Sequence, residues 1–70
     1  MSNIPKDLPE RIKYLREQKD MSQSDLAKRI GIDSSRLSRI ENGEIQKVSD
    51  DVVLAIAQIF EVSTDFLLGV

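Results

Sequence analysis

The stretch that decides the fold is Met21–Gly43, which reads MSQSDLAKRIGIDSSRLSRIENG. Its apolar residues recur at helical spacing in two short runs, one before Gly31 and one after Asp33. Gly31 follows the last turn of the first run, where a left-handed backbone favours glycine. Two helices of about eight residues each are too short to be stable alone, so they must pack. The stretch therefore predicts a helix-turn-helix.

The same periodicity predicts further helices on both sides of this stretch. We expect helices over residues 8–19, 23–30, 34–42, 50–60 and 64–68. Residues suited to cap them stand at each start, namely Asp7, Ser22, Asp33, Ser49 and Ser63. No alternating strand pattern, repeat or linker interrupts the chain. We therefore expect an all-α fold with one domain over residues 1–70.

The composition excludes several kinds of site. The chain has neither cysteine nor histidine, so a Ser–His–Asp triad, a Cys–His nucleophile and an imidazole or thiolate zinc site are all impossible. There is no glycine-rich phosphate loop, and most acidic residues stand at helix starts. We expect no enzyme activity, no cofactor, no metal and no small-molecule ligand.

Charge is unevenly distributed along the chain. The net charge is −2, but residues 1–47 contain all ten Lys and Arg and eight acidic residues, a balance of +2. Residues 48–70 contain the other four acidic residues and no base, a balance of −4. A polyanion should therefore meet the first two thirds of the chain and avoid the last third.

Nothing in the sequence indicates a membrane protein. Met1–Asp7 lacks the apolar region of a targeting segment. The longest apolar run, Val52–Ala57, is far shorter than the roughly 20 residues that span a bilayer. We expect a soluble, cytoplasmic protein.

Met21–Gly43 closely resembles the helix-turn-helix family of the phage Cro proteins and lambdoid repressors, also called the XRE family. The matching landmarks are Ser22-Gln23, Leu26-Ala27, Gly31, Leu37-Ser38 and Ile40-Glu41-Asn42-Gly43. The resemblance extends over roughly residues 8–69. It implies a compact five-helix domain, lambda-repressor-like, that binds duplex DNA sequence-specifically and usually as a dimer. One departure is Val48-Ser49, where the family often has Pro-Ser after a loop about one residue shorter.

The third helix has an outer face suited to DNA. Steps of 100° place Leu37, Ile40 and Glu41 on one side and Ser35 and Arg39 opposite. Small hydroxyls let the backbone approach a groove, and arginine pairs bidentately with guanine. The alternative is an ordinary solvated helix face.

The resemblance assigns roles to individual residues. It implies base contacts from residues on the third helix, namely Ser34, Ser35 and Arg39. Arg36, between them, could reach a base or a phosphate. Phosphate contacts are expected from Gln23, Asn42 and Lys47, although Lys47 could equally be a free loop lysine. The resemblance also pairs Arg16 with Glu41 as a structural salt bridge that fixes the recognition helix.

A homodimer on a palindromic operator is expected, in solution or only on DNA. The dimer interface, called the seam below, is predicted at aliphatic residues in the loop after the third helix or beside the apolar stripe by which the fourth helix faces the core. These residues are Ile45, Val48, Val52 and Ile59. The alternative is that these residues are scattered surface aliphatics or tuck under the loop.

The favoured function is a DNA-binding transcriptional regulator, a repressor encoded by a bacterium or phage and associated with the nucleoid. The alternative is a protein-interaction module of the antitoxin or coactivator-bridging type that keeps the fold without reading DNA. The acidic last third is the feature that favours this alternative.

Overall fold

A computed structural model describes residues 4–69. Residues 1–3 and 70 of the predicted domain, and with them the first three residues of the segment Met1–Asp7, lie outside the described range. Within it the chain forms five helices and no strand, which confirms the predicted all-α fold. The helices are α1 (Leu8–Gln18), α2 (Gln23–Ile30), α3 (Ser34–Glu41), α4 (Asp50–Phe60) and α5 (Thr64–Leu68). Compared with the expected bounds, α1 and α3 each end one residue earlier.

Two of the five predicted caps form through their side chains. The Ser22 hydroxyl accepts a hydrogen bond from the Asp25 N–H at 3.0 Å, and the Ser63 hydroxyl accepts one from the Phe66 N–H at 3.0 Å. The other three residues, Asp7, Asp33 and Ser49, stand at the N-cap position as expected but make no side-chain cap hydrogen bond. Their backbone is extended, as at a cap, and their carbonyls accept the first hydrogen bonds of the helix, but their side chains accept none from the helix N–H groups.

The turn between α2 and α3 depends on Gly31. Its φ of +91° lies in the left-handed region that side chains disfavour. In this conformation the N–H groups of Gly31 and Ile32 both donate to the Ala27 carbonyl, at 2.8 and 3.0 Å. The chain reverses within three residues, and α3 starts at Ser34 already packed against α2.

All five helices contribute to a single core. α3 packs against α1 and α2, α4 against α2 and α5, and α1 against α5. The buried hydrophobic side chains are Ile12, Leu26, Ala27, Leu37, Ile40, Val52, Val53, Ile56, Ala57, Phe60 and Leu67. Each large aliphatic among them contributes roughly 1.5–3 kcal/mol through burial. The core thus fixes the rotation of α3 about its own axis.

The segment before α1 is held against α5. Arg11 donates hydrogen bonds to the carbonyls of Pro5 and Phe66, and its guanidinium lies 4.7 Å from the centre of the Phe66 ring. Gly69 has a φ of +77°, and a Cβ there would lie 2.8 Å from the Lys6 carbonyl oxygen. Both conformation and space therefore require glycine at the end of α5.

No helix among residues 4–69 has the length and apolar character needed to cross a membrane.

Candidate nucleic-acid interface

The outer face of α3 is open to solvent. Leu37 and Ile40 are fully buried beneath it, so the polar side of the helix must face outward. The four residues expected to read bases are all exposed: Ser34, Ser35, Arg36 and Arg39. The structure therefore brings together on one surface the side chains that the sequence assigned to the same task.

This surface has the chemistry to enter a groove of a polyanion. The first two residues of α3, both serines, have small hydroxyl side chains, so the backbone there can come close to another molecule. The guanidinium groups of Arg36 and Arg39 supply donor pairs that match two acceptors on one base edge. No acidic residue lies between the cap Asp33 and the buried Glu41.

The three residues expected to bind phosphate differ in their exposure to solvent. Asn42 directly follows α3 and Lys47 lies in the loop before α4, and both are exposed. Gln23, the first residue of α2, is half-buried, and its Nε2 donates a hydrogen bond to Glu41 Oε1 at 3.0 Å. No sequence pattern indicates this contact, because the two residues are far apart in the chain.

Glu41 joins three helices through one buried carboxylate. Its side chain is 1% exposed, and it accepts hydrogen bonds from Arg16 Nε at 2.8 Å and Arg16 Nη2 at 3.0 Å, besides that from Gln23. Arg16 Nη1 donates to the Met21 carbonyl at 2.8 Å. The structure thus brings the expected pair together and adds Gln23 to it.

The Arg16–Glu41 ion pair stabilises the charged form of Arg16. The hydrogen bonding that Arg16 donates to Glu41, together with the negative charge of Glu41, raises the pKa of Arg16 above its ordinary value, against the opposing effect of burial. Among the described residues, every buried side-chain nitrogen and oxygen has a hydrogen-bond partner. Because both groups are shielded from water, losing either one strands the other.

One of the four residues expected at the dimer seam, Val52, is buried in the structure. Val52 belongs to the core and is 7% exposed, so it cannot serve as an exposed seam residue. The physical reason is that Val52 precedes the fully buried Ile56 by four residues and lies on the same face of α4. Ile45, Val48 and Ile59 are half-buried and pack against the core.

The two most exposed large hydrophobic residues of the described chain are not among those expected at a functional surface. Leu54 is 51% exposed and Leu68 is 49% exposed. Leu54 directly follows the buried Val53, and it stands outside the stripe of residues 53, 56, 57 and 60. That offset was the available sign of its exposure.

Two comparisons relate this geometry to known proteins. A family model described as helix-turn-helix matches residues 12–67. The structure of the P22 c2 repressor in complex with a synthetic operator is similar, with a TM-score of 0.83 and 27% identity, covering 94% of this chain and 100% of that one. The structure of SinR, the master regulator for biofilm formation, in complex with DNA has a TM-score of 0.79 and 32% identity, covering 86% of this chain and 95% of that one. No curated protein matches the sequence.

The fold and the exposed α3 define a helix-turn-helix protein. The chain belongs to the XRE-type helix-turn-helix family, whose model matches most of its length. Its fold is that of the lambda-repressor-like domains, as the P22 c2 repressor comparison shows.

Proposed function

We propose that this protein is a sequence-specific, double-stranded-DNA-binding transcription regulator that reads the major groove with α3. The observation that carries the proposal is the exposed Arg36 and Arg39 face above a rigidly packed inner side of the same helix. The family match and the two DNA-bound structural neighbours support it. We further propose that the protein acts as a repressor in the cytoplasm, without enzyme activity or cofactor.

We assign base contacts and phosphate contacts to different residues. Arg39 is the main base-reading side chain, with Arg36 and the serines 34 and 35 beside it. Lys47 and Asn42 hold phosphates on one side of α3. The amino end of α2 holds another, because its free N–H groups and the helix dipole attract an anion. Glu41 accepts one amide hydrogen of Gln23, and the second amide hydrogen can serve that phosphate.

Salt dependence of binding tests the function directly. We expect the protein to bind mixed-sequence duplex DNA at 50 mM salt and to lose at least about tenfold in affinity at 200 mM. Selection from a random duplex library should then enrich a defined site. Absence of binding at both salt concentrations would instead favour the protein-interaction module.

We also propose that two copies bind a palindromic operator. The eight residues of α3 extend over only about 12 Å, so one helix contacts few base pairs. Two such helices about 34 Å apart would read two half-sites one DNA turn apart. The apolar residues left for the seam are Ile45, Val48 and Ile59, which favours a weak dimer completed on DNA.

Sedimentation with and without a selected palindromic site measures this stoichiometry. We expect two protein copies per duplex at saturation and a marked loss of affinity on an isolated half-site. A one-to-one complex with full affinity on the half-site would contradict the dimer.

A further inference from the structure

An apolar groove lies between α4 and α5, and none of the residues assigned to DNA contacts lines it. Leu54 and Leu68, each about half exposed, both line it. The remaining lining residues are Val48, which the groove shares with the proposed dimer seam, and Asp50, Asp51, Val53 and Thr64. The two most exposed large hydrophobic side chains of residues 4–69 therefore share one concave surface, whereas scattered surface leucines would not.

The two charged residues that line this groove are both acidic. Asp50 and Asp51 line it directly, and both are exposed. Glu61 and Asp65, on the same two-helix unit, are exposed as well. No lysine or arginine occurs after Lys47, so no cation of this unit offsets these carboxylates. The groove thus combines an apolar floor with two exposed carboxylates and has no lysine or arginine in its lining.

This charge decides which occupant fits. In a two-fold dimer built on this groove, the same patch of each copy faces the other, so carboxylates would approach carboxylates. Like charges placed together across an interface oppose its formation. A cationic chain with apolar anchors gains from both the leucines and the carboxylates. Charge complementarity therefore favours a different protein over a second copy.

We propose that the α4–α5 groove binds a basic amphipathic segment of a partner protein. Aliphatic side chains of that segment pack on Leu54 and Leu68, and its lysines or arginines lie beside Asp50 and Asp51. The inference goes beyond DNA binding and does not depend on it, since none of these residues belongs to the proposed DNA contacts. A groove with two leucine anchors suits a transient complex.

Titration of the whole ¹⁵N-labelled protein with a designed peptide tests the proposal. The probe is a helical peptide with leucines at positions i, i+3, i+4 and i+7 and lysines at its other positions. A second peptide carries glutamate in place of every lysine. We expect the lysine peptide to shift the amide signals around Leu54 and Leu68, and the glutamate peptide to shift none of them.

Two double variants separate the apolar and the charged contributions. L54S combined with L68S should weaken binding of the lysine peptide at least tenfold, and D50N combined with D51N should weaken it several-fold. The matched control is E10Q combined with E17Q, which removes the same charge from exposed sites on α1 and should leave the affinity unchanged. Equal weakening by this control, or shifts centred elsewhere, would overturn the proposal.

Two further measurements identify other outcomes. Sedimentation that shows a dimer of the wild-type chain, lost on L54S with L68S, would make the groove a self-interface and would also overturn the proposal. The salt-dependent DNA binding of that variant should match wild type. The groove proposal and the DNA-binding proposal can therefore fail independently of each other.

Discussion

Replacing Glu41 by alanine will lower the stability of the protein by about 3–5 kcal/mol, even without DNA. The change strands Arg16, whose side chain is only 12% exposed, and removes the acceptor of the Gln23 amide. For a domain of this size the midpoint of thermal unfolding should fall by more than about 10 °C. Circular dichroism during heating measures this directly.

A nearby carboxylate supplies the control. Glu44 lies three residues further along in an exposed position, so E44A should change the stability by less than about 0.5 kcal/mol. If E41A melted at the wild-type temperature but no longer bound DNA, Glu41 would act in binding and not in stability.

The second large effect is expected at Arg39. R39A should cost about 1–3 kcal/mol on the selected DNA site and relax the preference at one base pair. The physical reason is that a bidentate guanidinium contact discriminates bases, which the neighbouring serine hydroxyls do only weakly. Affinities for the selected site and for single-base variants of it, measured by fluorescence anisotropy, give both numbers.

Two other cations serve as comparisons for R39A. Arg29 is also exposed but lies on α2, so R29A should leave the base preference intact. K47A should weaken binding to all sequences alike and make the salt dependence shallower by about one unit. Unchanged affinity of R39A for both selected and random DNA would remove Arg39 from base readout.

Local pattern was enough to predict most of the fold. The spacing of Leu26, Ala27 and Ile30 and the glycine that follows predicted α2 and its end, because both depend on residues close in sequence. The same reasoning predicted the buried side of α3, with Leu37 and Glu41 inward. Fold class therefore followed from helical periodicity and turn chemistry.

What the sequence did not predict depends on tertiary packing. The Gln23–Glu41 hydrogen bond joins residues that meet only after α2 and α3 have packed. Val52 was assigned to the dimer seam because only one apolar stripe of α4 was expected to face the core. In the structure α2 and α5 both pack against α4, and together they bury a wider part of its surface, which includes Val52. The charge separation was visible in the sequence, but the groove that gathers Leu54 and Leu68 was not.

The contact of Arg11 with both Pro5 and Phe66 has a consequence for local unfolding. α5 has only five residues and cannot persist once it leaves the core. When it detaches, Arg11 loses one of its two acceptors and the segment before α1 loses its neighbour. The beginning and the end of the described chain will therefore open as one cooperative unit, with similar protection of their amides from hydrogen exchange.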